Sequence, residues 1–185
     1  MNKRGYYMID LIVVVILIAR TAVFVVDETQ TAIVTQFGKP VKVIREAGLY
    51  AKIPDPGQSV RRFHKRLLLY DVKPSEYLTA DKKNIILNMY AAWQIVDPRT
   101  FLASVRERRT AEILLADVVS AEVGAAIAKI PLSALVSVNP EDVMVDSIMA
   151  VVTEHCRDRA LKNYGIDVKH VKMKQLQLPE QNLES

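Results

Sequence analysis

The sequence is poor in the residues that build most active sites. It has one cysteine, Cys156, so no disulfide can form within the chain, and its three histidines, His64, His155 and His170, lack metal-ligand spacing. The short motifs of phosphate-binding loops, serine hydrolases and zinc proteases are all missing. We therefore expect no catalytic residues, no cofactor and no metal site, which argues against an enzyme.

The chain also lacks a strong excess of either charge. It has 25 Lys and Arg residues against 21 Asp and Glu, a net charge of +4, and its basic residues are spread out, so nothing favours nucleic-acid binding. The densest basic stretch, "RRFHKR" at 61–66, is consistent with a contact to anionic lipid headgroups or to an acidic neighbouring subunit. A solvated edge strand, whose charges discourage aggregation, is the alternative. The candidate contact residues are Arg61, Arg62, Lys65 and Arg66.

The chain has one long apolar run, near its N-terminus, in "DLIVVVILIARTAVFVV" at 10–26. A membrane-spanning helix needs about 20 mostly apolar residues, and Arg20 lies close enough to one end to reach the headgroups. No small-residue cleavage site of a signal peptide follows, and a soluble core segment seldom has such a run at the extreme N-terminus. We expect an uncleaved anchor over residues 8–26. Its apolar residues are Leu11, Ile12, Val13, Val14, Val15, Ile16, Leu17 and Ile18.

The charges on either side of this run predict its orientation. Lys3 and Arg4 precede it, and Asp27 and Glu28 follow it. Because basic residues near the ends of a span stay on the cytoplasmic side, we expect a cytoplasmic N-terminus and a folded part on the far side of the membrane.

The first part of the remaining chain has the pattern of β-strands. Apolar runs alternate with turn residues such as Gly38, Pro40 and Gly48, and the segment from Val23 onward has the character of a first strand. The clearest strand covers Ile85–Val96, in which every second residue is apolar.

From about residue 98 the apolar spacing becomes helical. One predicted stripe contains Ala111, Leu114, Leu115, Val118, Ala121 and Ala125. A second helix is expected to begin at the N-cap Asn139 with Pro140, Glu141 and Asp142, and its predicted stripe contains Met144, Ile148, Val151, Val152 and His155. Gly165 is placed for a left-handed helix cap before a last strand. The predicted fold class is α+β, with strands first, then two helices and a returning strand.

The adjacent pair His155 and Cys156 is the candidate for a catalytic dyad. Neighbouring residues on a helix point about 100° apart, so these two cannot form a Cys–His pair by themselves. A periplasmic hydrolase that uses them remains the hypothesis from a different functional class.

Five segments in order resemble a known family. After the apolar run come "VDETQTAIVTQFGKPVKVIREAGLYAKIP" and "RRFHKRLLLYDVKPSEYLTADKKNIILNMYAAWQIVDPRTFL", and the chain closes on "YGIDVKHVKMKQLQLPEQ". Together they resemble the stomatin/prohibitin/flotillin superfamily, whose common part is the SPFH or band-7 domain. No single motif is diagnostic, but their number and order make the likeness specific.

The resemblance implies a two-part domain and a scaffolding role. It implies a cytoplasmic N-terminus at 1–7, the anchor at 8–26, a β-rich SPFH1 half at 27–97 and a helix-rich SPFH2 half at 98–180. It further implies a large hetero-oligomeric ring or cage, built with a homologous partner subunit on the bacterial inner membrane. Such assemblies enclose a membrane AAA+ protease and limit the substrates that reach it, with their folded parts on the periplasmic side.

Two departures from the family pattern bear on these expectations. Members usually have an apolar pair after "KIP", whereas this chain has Asp55, Pro56 and Gly57, which argues against membrane insertion at this loop. The family also continues into a long charged helix, so we expect residues 181–185 to be only its start. A stomatin-like organiser of a lipid microdomain, with another membrane client, is the alternative role.

Overall fold

The computed structural model describes residues 12–13, 20–54, 56–136 and 144–179. Its contacts divide the chain into two compact units, Met1–Lys65 and Arg66–Ser185. The first contains the strands β1 Val23–Val26, β2 Gln30–Gln36, β3 Lys39–Ile44, β4 Gly48–Ala51 and β5 Gln58–His64. The second contains β6 Leu68–Leu78, β7 Asn84–Ile95, α1 Pro98–Ser104, α2 Arg108–Ile127, a 3₁₀ turn Leu132–Ala134, α3 Val145–Tyr164 and β8 Ile166–Gln177.

The first unit consists of two small antiparallel sheets around one apolar cluster. Strands β1 and β4 form a two-stranded ribbon, and β2 lies between β3 and β5 in a three-stranded sheet. Alternate residues of β1 and β2 point into the shared cluster, because successive side chains of a strand face opposite ways. Its buried members are Phe24, Val26, Ala32, Val34 and Ile44, with Tyr50 and Val60 packed against them.

Strand β1 confirms the expectation that the chain enters its first strand at Val23. The last four residues of the range 8–26 therefore belong to the folded unit, where they pair with β4. Most of the predicted anchor, including Leu11 and residues 14–18, lies outside the described residues. Among the residues that the structure describes, no helix is long and apolar enough to cross a membrane.

The second unit is built on an antiparallel sheet in the order β6-β7-β8. The central strand β7 contributes its alternating face, which is fully buried at Ile85, Leu87, Met89, Ala91 and Trp93. This confirms the strand predicted at 85–96 and, with the helices that follow, the α+β class.

The helices of this unit bury only part of each predicted stripe. In α2 the buried residues follow a strict four-residue step from Ala111 to Ile127, whereas the predicted Ala121 and Ala125 are exposed. In α3 the buried residues are Met149, Val152, Thr153, Cys156 and Ala160, so of the predicted stripe only Val152 belongs to the core. The predictions were correct at Ala111, Leu115 and Val152. They were wrong at the exposed positions, because each helix has apolar residues on two faces and periodicity does not say which face meets the sheet.

The structure tests only one of the two predicted ends of α3. The N-cap predicted at Asn139, with Pro140, Glu141 and Asp142, falls outside the described residues. At the other end Gly165 has φ +67 and caps α3 in the left-handed region, as predicted. Ile166 follows it directly as the first residue of β8 and is fully buried.

The predicted halves of the domain meet between residues 97 and 98. The contacts of the structure divide the chain at a different place. Strand β7 pairs with both β6 and β8, and β8 follows α3 in the chain. The sheet therefore ties residues 68–95 to the helices, and the boundary falls between Lys65 and Arg66 instead. Composition alone separates strands from helices, whereas hydrogen bonding decides which of them fold together.

Candidate membrane and subunit interfaces

The basic segment 61–66 does not form one continuous strand. Arg61 and Arg62 are exposed on β5, which is an edge strand because it pairs only with β2. The strand ends at His64, and the Lys65 ammonium donates to the carbonyl oxygen of Arg45 at 2.6 Å. Arg66 is exposed but belongs to the second unit. The two arginines of β5 are thus the members of this segment that lie on one edge strand, where their side chains point to opposite faces of the sheet.

An exposed apolar face lies on the β1–β4 ribbon, and the sequence reasoning missed it. Val25 lies opposite Leu49 in the pairing register, and the two side chains are 62% and 71% exposed. Val23 lies on the same face, since residues i and i+2 of a strand point the same way, and Ile53 just beyond β4 is exposed as well. We call Val23, Val25, Leu49 and Ile53 the ribbon face. The sequence shows the apolar run Val-Phe-Val-Val, but it does not show which of these side chains are buried.

The ribbon face joins directly to the end of the predicted anchor. Residues 20–22 are helical and run into β1 without a linker. The backbone amide of Lys52, next to β4, donates to the carbonyl oxygen of Ala22 at 2.7 Å. The ribbon is therefore held directly beside residues 20–22.

A single aromatic side chain stands out at the turn between β2 and β3. Phe37 and Gly38 form a two-residue hairpin loop, with φ of 49° and 80°. Such loops favour Gly or Asn because a β-carbon is strained at positive φ. Phe37 is 83% exposed, so no buried contact of its ring accounts for its presence.

Cys156 and His155 do not form a catalytic pair. Cys156 is fully buried, and this burial, together with the nearby Glu122 carboxylate, raises the pKa of its thiol to about 12. The exposed His155 imidazole instead points to Glu122, with Nδ1 at 3.3 Å from Oε2. A nucleophilic cysteine needs a lowered pKa and access to solvent, so the hydrolase hypothesis has no support from this geometry. Within the described part of the chain, no three His, Cys, Asp or Glu side chains come together as metal ligands.

A groove of about 390 Å³ lies between α2 and α3. Its walls are largely apolar and include several residues that the sequence assigned to the helix core. Polar residues stand at both ends, with Glu122 and His155 at one and Lys129 and Ser147 at the other. The apolar lining consists of Ala125, Ala126, Ile130, Ile148, Val151 and Val152.

Comparison with known proteins agrees with the likeness found in the sequence. The model of the SPFH domain / Band 7 family matches residues 24–185. A protein named HflC from Vibrio parahaemolyticus is 30% identical over an alignment that covers 96% of this chain and 64% of the relative, and HflC of Vibrio cholerae gives the same values. The "Modulator of FtsH protease HflC" of Escherichia coli K12 is 31% identical over 52% of this chain and 30% of its own length.

The chain thus spans somewhat less than two thirds of the length of the Vibrio relatives. The family match nevertheless covers all the strands and helices named above except the first residue of β1. This chain therefore belongs to the SPFH domain / Band 7 family.

Proposed function

We propose that this chain is an HflC-like, membrane-anchored scaffold subunit. With a homologous HflK-like partner it forms a large ring or cage that regulates a membrane AAA+ protease of the FtsH type by limiting substrate access. The chain is then a regulator and not an enzyme. The observation that carries the proposal is the 30% identity to HflC proteins over almost the whole chain, together with a relative named as a modulator of FtsH protease.

The described residues support a scaffold over a catalyst. Their one thiol is buried and protonated at neutral pH, and the groove between α2 and α3 has a largely apolar wall. Apolar faces without an internal partner, by contrast, occur in both units. Exposed apolar patches of this kind mark sites of contact with membranes or other proteins.

The first unit supplies surfaces suited to the bilayer. The ribbon face is apolar and follows directly on residue 22, close to the end of the predicted anchor. Arg61 and Arg62 on β5 carry the cationic charge that anionic headgroups attract at about 1 kcal/mol per residue near the surface. We assign the ribbon face to the membrane interface, and the charged Asp55 loop is not needed for that contact. The inner membrane and a periplasmic folded part complete the proposed location.

Co-purification from native membranes tests the proposed role. The full-length protein, extracted in mild detergent, is expected to elute as a large assembly with a homologous subunit and a AAA+ protease. A monodisperse monomer would contradict the scaffold. A large assembly with a different membrane client and no protease would instead identify a stomatin-like organiser.

Protease protection tests the proposed orientation. In spheroplasts with an intact inner membrane, trypsin added outside is expected to cleave the folded part of the chain and to spare a tag placed at the N-terminus. A control protein of the cytoplasm must remain intact in the same sample. Protection of the folded part would place it on the cytoplasmic side and overturn the assignment.

A further inference from the structure

The hairpin tip at Phe37 lies at the same end of the first unit as the predicted anchor. The residue before Phe37 pairs with Gln58, the first residue of β5. The backbone carbonyl oxygen of Gln58 accepts from the Lys52 ammonium at 3.0 Å, and its side-chain Oε1 accepts from the amide of Ile53 at 3.0 Å. The Lys52 amide in turn donates to the carbonyl oxygen of Ala22 at 2.7 Å. These hydrogen bonds hold the tip, the loop after β4 and the residues that follow the anchor together, and we call this end of the unit the anchor end.

The exposed side chains described at the anchor end are apolar or basic. Phe37 is 83% exposed, and Val23 and Ile53 of the ribbon face are exposed beside it. The charged residues described at this end are all basic, namely Arg20, Lys39 and Lys52. Asp55, in the loop after β4, lies outside the described residues. Apolar side chains with basic residues around them are the combination that binds a bilayer with anionic headgroups.

The opposite end of the first unit has charged residues of both signs. Its turns are held together by Lys65, whose amide donates to the carbonyl oxygen of Thr29 at 2.9 Å and whose ammonium donates to that of Arg45 at 2.6 Å. The exposed charged residues of this end are Asp27, Glu28, Arg45, Glu46 and Lys65. Because anionic headgroups repel acidic side chains, this end suits water and the anchor end suits the bilayer.

The backbone of Phe37 is an independent observation that points to a contact at the tip. Its φ of 49° lies in the left-handed region, where Gly or Asn would fit a two-residue hairpin loop with less strain. Strained residues of this kind cluster at sites of function. Because the ring is largely exposed, packing within the described part of the unit does not offset the strain. A contact of the ring outside the protein would do so.

We propose that the Phe37 ring is a membrane contact, which enters the boundary between headgroups and acyl chains beside the anchor. The inference rests on the proposed membrane attachment and adds a second point of contact to it. Lipid is the occupant because the tip is hydrogen-bonded to the loop beside Ala22 and because the charges described around it are basic. An anchor alone leaves the first unit free to turn where the chain leaves the membrane, whereas a second contact fixes its orientation.

Lipid quenching of tryptophan fluorescence tests the contact in the full-length chain, reconstituted in nanodiscs that contain phosphatidylglycerol. Phe37→Trp is expected to give blue-shifted emission that is quenched by lipids brominated near the headgroup end of their acyl chains. Glu46→Trp, at an exposed position of the opposite end, is the matched control and is expected to show neither effect. The unsubstituted chain gives the background emission of the buried Trp93.

A dye on Ile53→Cys tests whether the ring holds the anchor end against the lipid. Phe37→Asn is expected to lower the quenching of this dye by lipid-attached quenchers about threefold or more, because the bilayer no longer buries the apolar area of the ring. Phe37→Leu keeps an apolar side chain and is expected to retain most of the quenching. Asn suits the turn better than Phe does, so a loss of folding would not account for the effect of Phe37→Asn.

The outcomes separate this inference from the proposed function. Blue-shifted emission of Phe37→Trp without quenching by lipid would show that the ring enters a protein pocket, and unshifted emission would show that it stays in water. Either result overturns the membrane contact of Phe37, while an anchored chain that assembles with the protease leaves the scaffold in place. If the full-length chain does not enter nanodiscs at all, the anchor and the proposed function fail, and the inference fails with them.

Discussion

At the scale of single residues, burial decides what the one thiol of this protein can do. The side chain of Cys156 is enclosed between α3 and its neighbours, and loss of solvent is the main reason that the pKa of the thiol rises to about 12. Its partner in the hydrolase hypothesis, His155, faces the other way, towards Glu122. A sequence shows that two such residues are adjacent, but not that one points inward and the other outward.

Cys156 should therefore be inert in the folded protein. At pH 8 its alkylation by iodoacetamide is expected to be slower than that of a free thiol by about a hundredfold or more, as measured by mass spectrometry, and to become fast in denaturant. Cys156→Ala is expected to leave protease regulation unchanged. Rapid alkylation of the folded chain would contradict the burial.

The same group makes stability depend on alkaline pH. The unfolded thiol ionises near its ordinary pKa of 9.0, whereas the folded thiol stays protonated up to about 12. The unfolded state therefore gains from ionisation first, and stability should fall as the pH rises from 9 towards 12. Urea unfolding at about pH 8 and about pH 10.5, on either side of the unfolded pKa, measures this difference, and Cys156→Ala is expected to reduce it.

Phe37 is the other residue whose conformation carries a prediction. At φ 49° its β-carbon is strained, while its ring is 83% exposed and contributes little packing. Phe37→Asn is therefore expected to raise the free energy of unfolding by roughly 1 kcal/mol, as measured by urea titration. Phe37→Leu keeps the strain and serves as the control. If Phe37→Asn also weakens membrane association, the Phe37 ring contacts the membrane, and this contact offsets the strain at the turn.

At the scale of elements, the junction between α3 and β8 depends on one glycine. Gly165 has φ +67, and its carbonyl oxygen accepts hydrogen bonds from the amides of Val96 and Asp97. A β-carbon at this position would clash with the carbonyl oxygen of Asp97. The glycine thus allows the helix end to pack closely on the chain between β7 and α1.

Gly165→Ala is expected to destabilise the protein by more than about 2 kcal/mol, from left-handed strain plus a backbone clash. Gly38→Ala is the matched control, since Gly38 has φ +80 but a β-carbon there would meet nothing within 4 Å. The stability that Gly38→Ala loses should come from the left-handed strain alone. Equal losses for the two variants, measured by urea unfolding, would show that the close approach to Asp97 contributes nothing.

Elements also show where prediction from sequence reached its limit. The strand at Ile85 and the cap at Gly165 were predicted correctly, because alternation and a glycine at a helix end are local properties. The stripes of α2 and α3 were predicted correctly only in part, at Ala111, Leu115 and Val152, because Ala125 and Val151 are as apolar as the residues that are buried. Which apolar face meets the sheet is decided by packing between elements distant in the chain.

At the scale of the whole molecule, the proposed function depends on surfaces rather than on a reaction centre. The ribbon face serves the membrane in this proposal.

Fluorescence quenching tests the membrane assignment in the full chain. Leu49→Cys, labelled with an environment-sensitive dye in nanodiscs, is expected to be quenched by lipid-attached quenchers, whereas a dye at Ile113→Cys on α2 is not. Because Cys156 is buried, the dye labels only the introduced cysteine. Arg61→Glu with Arg62→Glu is expected to weaken the quenching at Leu49, and more so at low salt, where surface charges are least screened. Equal quenching at both labelled positions would contradict the assignment.

The sequence by itself determined the family, the α+β class, the strand at Ile85 and the cap at Gly165. These follow from local spacing and from the order of segments along the chain. Only the tertiary structure decided that β6 and β7 belong with the helices, that Cys156 is buried, and that the apolar residues of the ribbon and of the groove are exposed. The physical reason is that burial depends on partners brought together from remote parts of the chain, which no local pattern specifies.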